Sequence, residues 1–210
     1  MIRQNLTFIA RRLSLAFAAF ALILSGSAMA QFSNGYNFLK AVRDRDGAKV
    51  TEMLNGPGST LVNTREQRTG ETGLLIVVAR RDVSWMAFLL QNGADPNLAH
   101  NDGVTPLMLA TTMRFIEGAQ LLLQEKAKVD QENSSGETPL IRAVQLRDLA
   151  MVRLLLKNGA DPDKIDNLAG RSARDYASND VRAEPILAEI ESSDATRKKD
   201  DKPATFGPEL

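Results

Sequence analysis

The chain has 210 residues, of which 43% are hydrophobic, 5% are aromatic and none is cysteine, and its 26 Lys and Arg balance 26 Asp and Glu. This length suits one globular domain with short additions. The absence of cysteine excludes thiol catalysis, disulfides and cysteine-based metal sites, and the few aromatic residues argue against a large aromatic-lined cofactor pocket.

The segment 1–30 has the layout of a secretory signal peptide. A basic stretch ends at Arg11-Arg12, an apolar run covers 13–24, and 28–30 read Ala-Met-Ala, the small-residue pattern that precedes cleavage. We expect cleavage before Gln31. A membrane anchor is the alternative, but this run is shorter than the roughly 20 apolar residues that a spanning helix needs. We therefore expect export to a bacterial periplasm, with only transient membrane contact, by the general secretory or twin-arginine route.

Removal of that segment leaves a mildly acidic protein. Of the 26 Lys and Arg, three lie within 1–30, which holds no acid, so 23 remain against 26 Asp and Glu. Nucleic-acid binding needs clustered positive charge to contact phosphates. We therefore expect no DNA or RNA partner.

The rest of the chain is a tandem repeat by its sequence. One phrase has the form Gly-x-Thr-Pro/Gly-Leu and stands at 70–74, 103–107 and 136–140, with a degenerate copy at 170–173. A second phrase, Asn-Gly-Ala-Asp-Pro-Asn or a variant, stands at 92–97, 125–130 and 158–163. Both phrases advance by the same step, and a fixed step of this size is typical of stacked repeat folds.

Two short amphipathic helices are predicted between the phrases of each unit. In the third unit they cover 106–113 and 116–124, with apolar residues at helical spacing. Thr105 and Thr138 precede prolines and suit N-caps, since proline at the first helical position loses no hydrogen bond. Gly93 stands where a helix should end in the left-handed conformation. Each unit thus reads as helix, turn, helix, loop.

These residues resemble the ankyrin repeat, a 33-residue unit with a Thr-Pro-Leu-His-x-Ala phrase and a Leu-Leu-x-x-Gly-Ala-Asp ending. The resemblance covers about 35–190 and implies an all-α solenoid of helix-turn-helix units joined by short hairpin loops. We assign 31–190 to this domain, with four fuller units and a C-terminal cap. Residues 191–210 are rich in Ser, Asp, Lys and Pro, and we expect a disordered tail there.

Several positions depart from the family pattern. Gly73 replaces the proline of the second unit, and Leu75, Met108 and Ile141 replace the family's histidine. The inter-repeat hydrogen bonds of that histidine are lost, so apolar packing must compensate. Extra residues around 55–59 are expected to lengthen the loop of the first unit without breaking the stack.

No residue pattern indicates catalysis or cofactor binding. His100 is the only histidine and falls in a predicted hairpin tip, without a second ligand or a nucleophile nearby. The carboxylates of Asp95, Asp161 and Asp163 belong to the repeat's turn phrase and are expected to cap turns. We expect a protein that is not an enzyme and that needs neither cofactor nor metal.

The resemblance implies binding of another protein through the hairpin tips and the concave face of the first helices. We expect a monomer that acts in this way in the periplasm, its partner unidentified. The implied positions are Arg68, Thr69, Glu71, Ala79 and Arg80 in the second unit, Asn101, Asp102, Val104, Thr112 and Met113 in the third, and Ser134, Ser135, Glu137, Gln145 and Leu146 in the fourth. Met113 and Leu146 are either apolar anchors for the partner or contacts between units.

One arginine per unit stands at the end of the first helix. This arginine column consists of Arg45, Arg81, Arg114 and Arg147. Many ankyrin units have glycine there, and arginine can complement the negative end of a helix. Asp46, Asp82 and Asp148 follow directly and can cap the next helix. The column is either structural or, through Arg81, Arg114 and Arg147, a binding ladder for an acidic partner.

Two narrower functions remain open from the sequence. The protein could be an immunity or inhibitor protein that blocks a periplasmic toxin or hydrolase. Alternatively, it could be an accessory factor of a periplasmic enzyme. Ankyrin specificity depends on surface side chains, so the sequence does not identify the partner.

Overall fold

The computed structural model describes residues 34–56 and 59–200, with side chains to 195. The predicted signal peptide therefore lies outside the described residues. Within these ranges the fold is all-α, and its β-structure is limited to isolated bridges such as that between Arg65 and Thr72. The predicted fold class is confirmed.

Helices come in pairs, and the first member of each pair is here called the inner helix and the second the outer helix. The pairs are α1 (34–44) with α2 (Gly47–Leu54), α3 (Gly73–Ala79) with α4 (Val83–Gln91), α5 (Pro106–Thr112) with α6 (Ile116–Gln124), α7 (Pro139–Gln145) with α8 (Leu149–Lys157), and α9 (Ala173–Ser178) with α10 (Glu184–Asp200). Short 3₁₀ helices lie at Leu61–Asn63 and Val181–Ala183. Inner helices stack on inner helices from α3 to α9, and outer on outer from α4 to α10.

Side-chain caps start most of these helices. The inner helices α3, α5, α7 and α9 are capped by Thr72, Thr105, Thr138 and Ser172, each of which accepts a hydrogen bond from the backbone N–H three residues later. Asp46, Asp82 and Asp148 do the same for outer helices. The predicted threonine caps and aspartate caps are confirmed, and each satisfies a backbone N–H that the helix itself leaves free.

Apolar layers hold the two stacks together. Leu89, Leu122 and Leu155, in one column of the outer helices, are each 0% exposed. Leu75, Met108 and Ile141, which replace the family's histidine, are 1%, 2% and 0% exposed. The expected apolar compensation at these positions is confirmed.

Gly73 has a packing reason to be small. A Cβ at this position would lie 3.3 Å from Cε1 of Phe38 and 3.5 Å from Cδ1 of Leu89. Phe38 is itself fully buried on α1, so the aromatic ring of the first unit fills space next to the inner helix of the second. Of the extra residues of the first unit, 55, 56 and 59 lie outside any helix after the end of α2.

The last helix extends beyond the predicted end of the domain. Disorder was expected from 191 onward, whereas α10 continues to Asp200. Ile190 is fully buried, and the carboxylate of Asp194 accepts a hydrogen bond from Arg174 of α9 at 2.7 Å. Arg174 thus supplies a polar anchor that the low apolar content of this segment does not reveal. Residues 201–210 lie outside the described part of the chain.

None of the helices in 34–56 and 59–200 is long and apolar enough to span a membrane.

Candidate protein-binding surface

The hairpin loops form a row of fingers, defined as 66–71, 99–104, 132–137 and 166–171. Each finger after the first is joined to the preceding finger by a backbone hydrogen bond. These bonds run from Asn101 N to Thr69 O (2.9 Å), from Ser134 N to Asp102 O (2.8 Å) and from Asn167 N to Ser135 O (2.8 Å). The row is therefore a continuous backbone surface and not a set of independent loops.

Side chains also brace individual fingers. Glu66 accepts hydrogen bonds from the backbone N–H and the hydroxyl of Thr69 at 2.7 and 2.6 Å. These bonds favour the ionised carboxylate and lower the pKa of Glu66. In the third finger, Asn133 Oδ1 accepts from the backbone N–H groups of Ser135 and Glu137. Such bonds fix the loop backbone before any partner arrives.

The fourth finger is organised around Asp166, which is 3% exposed. The Tyr176 hydroxyl donates to Oδ2 at 2.6 Å, and the backbone N–H groups of 168, 169 and 170 donate to Oδ1 at 3.1, 2.6 and 3.1 Å. The tyrosine bond, with the backbone bonds, lowers the pKa of Asp166 despite its burial. The same bond raises the pKa of Tyr176. A single ionised carboxylate therefore sets the shape of this loop.

Most of the predicted finger residues are accessible to a partner. Arg68, Asn101, Asp102 and Ser134 are exposed, while Thr69, Val104 and Ser135 are half-buried. Glu71 is half-buried and pairs with Arg43 at 2.6 Å. Glu137 is only 6% exposed and its carboxylate accepts a hydrogen bond from Arg142 at 2.6 Å. The carboxylate of Glu137 is thus engaged inside the unit.

The predicted positions on the inner helices also differ in their exposure. Thr112, Gln145 and Ala79 are exposed, whereas Met113 and Leu146 are half-buried. Met113 packs against the core, so at least part of its apolar surface serves the stack.

Arg80 lies against the preceding unit. Its Nη1 donates to the carbonyl oxygens of Val42 (2.6 Å) and Arg43 (3.3 Å) at the end of α1, and its guanidinium carbon lies 5.7 Å from the centre of the Trp85 ring. Desolvation by these contacts lowers the pKa of Arg80. The side chain thus adds hydrogen bonds to carbonyls at the end of α1, where that of Val42 also accepts from the backbone N–H of Arg45.

The arginine column has an unusual backbone conformation. The φ angles are 58° at Arg45, 57° at Arg81, 53° at Arg114 and 53° at Arg147. This left-handed region suits glycine and costs other residues about 1–2 kcal/mol. Arginine thus stands in this chain where the backbone favours glycine, once in each of four units.

Each arginine of the column contacts the next unit. Arg45 lies 3.7 Å from Asp82, and Arg147 Nε donates to Asp180 at 2.6 Å. Arg81 lies over the Phe115 ring, 5.1 Å from its centre, and Arg114 Nη2 donates to the carbonyl oxygen of Leu146. The column therefore joins neighbouring units, which supports its structural interpretation.

Sequence reasoning missed a groove at the first-unit end of the surface. About 1250 Å³ in volume, it is lined by Tyr36, Leu39, Leu61, Arg68 and His100 among others. Tyr36 is 65% exposed. Arg68, Thr69 and Glu71, which line one side of the groove, were predicted as binding residues. The longer loop of the first unit obscures the repeat on the other side, so the alignment of the units assigned no binding position to the first unit.

Leu168 was also missed, although the sequence carried a signal for it. Its side chain is 82% exposed on the fourth finger. It lies one repeat after Ser135 and two repeats after Asp102, both predicted as binding residues. Treating the fifth unit only as a cap excluded it from the predicted set.

Two of the three loop carboxylates of the turn phrase, those of Asp95 and Asp161, cap turns as predicted, whereas the carboxylate of Asp163 accepts hydrogen bonds from Arg174 of α9. Asp95 Oδ1 accepts from the backbone N–H of Asn97 at 2.8 Å, and Asp161 Oδ1 from that of Asp163 at 2.9 Å. His100 is half-buried on the second finger, where its backbone N–H donates to Val104. In the part of the chain that the structure describes, no group of three or more His, Cys, Asp or Glu is arranged to hold a metal ion.

Comparison with known families agrees with this geometry. A family model described as ankyrin repeats (3 copies) matches residues 38–133 and 74–166, together more than half of the chain. Among curated proteins, none matches this sequence significantly. The match spans the units that carry the first three fingers.

Proposed function

The chain belongs to the ankyrin-repeat family, and on this premise we propose that it is a non-catalytic module that captures another protein in the periplasm. The family indicates protein–protein interaction. The fingers and the inner-helix ends are the surface that we assign to the partner.

One observation carries this assignment: the fingers combine a fixed backbone with varied side chains. Backbone hydrogen bonds join finger to finger at equivalent positions. At one of these positions the exposed side chain changes from Arg68 to Asn101 to Ser134 in successive units. A preorganised backbone lowers the entropy lost on binding, and the varied side chains provide specificity.

The signal-peptide layout of 1–30 supports the periplasmic part of the proposal, and export can be tested separately. If residues 1–30 are a signal peptide, the mature protein in a periplasmic fraction begins at Gln31, as N-terminal sequencing would show. Recovery of the uncleaved chain in the cytoplasmic fraction would contradict this location.

Affinity capture with paired variants tests the binding surface. The finger variant combines Arg68→Ala with Asn101→Ala and Ser134→Ala. The control variant combines Gln120→Ala with Arg153→Ala and Lys157→Ala, which are exposed on the outer helices α6 and α8. We expect the finger variant to lose the partner and the control to retain it, with unchanged circular dichroism for both. Loss of the partner by the control variant alone would place the binding surface on the outer helices.

The identity of the captured protein separates the narrower functions. A toxin or hydrolase whose activity falls on binding would indicate an immunity or inhibitor protein. An enzyme that gains stability or activity on binding would indicate an accessory role. Turnover of a substrate by the purified chain without any partner would contradict the non-catalytic proposal.

A further inference from the structure

We propose that Arg81 and Arg114 form the docking point for an extended acidic segment of the partner protein. This inference deepens the proposed function and depends on it, because it specifies the partner's chemistry at one part of the binding surface.

The outer members of the arginine column each pair with an aspartate of the next unit. Arg45 pairs with Asp82 at 3.7 Å and Arg147 pairs with Asp180 at 2.6 Å. Each aspartate also lies near a second arginine, Asp82 at 3.6 Å from Arg80 and Asp180 at 3.7 Å from Arg182. Both aspartates stand at the start of the turn into an outer helix or 3₁₀ helix, where they also accept backbone hydrogen bonds. In these units one side chain both caps a helix and balances an arginine.

The third unit breaks this pattern. Phe115 stands where Asp46, Asp82 and Asp148 stand in other units, and it makes no side-chain cap. Arg81, which would face an aspartate there, lies over the Phe115 ring instead. The substitution removes a negative charge and leaves the guanidinium of Arg81 without a salt bridge to any carboxylate within 34–56 and 59–195.

Arg114 also lacks an acidic partner within the described ranges. Its Nη2 donates to the carbonyl oxygen of Leu146. Asp148, which follows in the next unit, is 9% exposed and accepts from the backbone N–H of Met151. Glu117 is exposed on α6, yet among the described residues neither it nor any other carboxylate forms a salt bridge with Arg81 or Arg114.

Two exposed, unbalanced arginines in adjacent units define a spacing for the ligand. Packed helices lie about 8–10 Å apart. A peptide in the extended polyproline II conformation rises about 3.1 Å per residue with three residues per turn, so carboxylates three residues apart share one face and lie about 9 Å apart, which matches this distance. Guanidinium groups bind carboxylates with paired hydrogen bonds. The fitting ligand is therefore an extended segment of the partner, in the polyproline II conformation, with an acidic residue at every third position.

A peptide titration tests this. The probe is a dye-labelled peptide of repeated Glu-Gly-Ser triplets, and a Gln-Gly-Ser peptide is the uncharged control, both measured by fluorescence anisotropy against the full chain. We expect the acidic peptide to bind and the uncharged control not to bind. We also expect its affinity to fall as salt is raised, since exposed charges are screened within about 10 Å at 0.1 M salt.

Matched variants assign the binding to the central pair. Arg81→Gln with Arg114→Gln should lower the affinity for the acidic peptide by about tenfold or more. Arg45→Gln with Arg147→Gln changes the net charge equally but should weaken it by less than about twofold, since these arginines are already paired. Arg81→Lys with Arg114→Lys keeps the charge and should retain most of the binding. Circular dichroism and thermal unfolding verify that each variant is folded.

Three results of the peptide titration would overturn the inference. If both glutamine pairs lowered the affinity for the acidic peptide equally, the attraction would be one of general charge. If Arg81→Gln with Arg114→Gln did not lower this affinity, Arg81 and Arg114 would not be the docking point. Displacement of the peptide by an equal concentration of inorganic phosphate would assign the pair to small anions. If natural partner capture needs the fingers but not Arg81 and Arg114, only this inference fails; loss of the finger requirement would instead refute the proposed function.

Discussion

At the scale of single residues, Arg114 illustrates how the backbone and the side chain can have opposite preferences. Its φ angle of 53° favours glycine, while its guanidinium contributes a hydrogen bond to the next unit. The sequence placed arginine at a helix end and suggested complementarity with the helix dipole. It did not indicate the left-handed conformation, because the family's glycine at this position is absent here.

A pair of substitutions at Arg114 separates these effects. Arg114→Gly and Arg114→Ala both remove the guanidinium, but only alanine retains a Cβ in the left-handed conformation. We expect the glycine variant to be the more stable of the two by about 1 kcal/mol, as measured by urea unfolding. An alanine variant of equal or greater stability would show that the backbone at this position is unstrained.

Phe115 and Gly118 are a second case at this scale, because the side chain of one limits the size of the other. A Cβ on Gly118 would lie 2.4 Å from both Cδ1 and Cε1 of the Phe115 ring, and this ring is only 3% exposed. Gly118 is thus small because the ring occupies the space beside it. The sequence showed glycine in a column that holds Trp85 and Met151 in other units, but not the ring that requires it.

This pairing predicts a change of sign in a double-mutant cycle. Gly118→Ala alone should destabilise the protein by about 1–3 kcal/mol, because the buried ring must shift. In a Phe115→Asp background, the same change should stabilise by up to about 1 kcal/mol, since alanine is the better helix former and the clash is gone. Urea unfolding of the four proteins measures both values, and additive effects would contradict the contact.

At the scale of elements, the starts of the inner helices were more predictable than the end of the last helix. Thr105 and Thr138 before proline, with apolar residues at helical spacing, indicated where the inner helices begin, and the structure confirms these starts. The C-terminal extension of α10 was not predicted, because Arg174 reaches it from another helix. Local patterns indicate helix starts well, whereas anchoring by distant side chains leaves no local signal.

The fourth finger makes a prediction about pH. The lowered pKa of Asp166 means that ionisation favours the folded state. Its contribution should be complete above the ordinary aspartate pKa of about 3.9 and should be lost as pH falls through the lowered folded-state value. Asp166→Asn should therefore be less stable than the original protein by about 1–2 kcal/mol near neutral pH, and this difference should shrink in acid.

Urea unfolding across this pH range checks the prediction. Glu191→Gln, which removes an exposed carboxylate on α10, is the control and should show little difference at any pH. A constant difference for Asp166→Asn between neutral and acidic pH would show that its carboxylate is not stabilised as an anion.

At the scale of the whole molecule, the repeat determines both the stack and the surface. The regular spacing of the two phrases predicted the paired helices, the fingers and most of the exposed tip residues, because ankyrin units repeat their backbone geometry. The two features that it missed lie at the ends of the surface, in the groove beside Tyr36 and at Leu168. End units have only one neighbour, so their sequences depart from the repeat and their exposed residues are harder to assign.

The central claim is that this protein works by holding another protein against its fingers. Site-specific photo-crosslinking in growing cells tests it most directly, with the crosslinking residue placed either at Asn101 on the second finger or at Lys157 at the end of α8. Both positions are exposed. The account predicts a discrete crosslinked partner from Asn101 and none from Lys157. A partner crosslinked from Lys157 but not from Asn101 would contradict it.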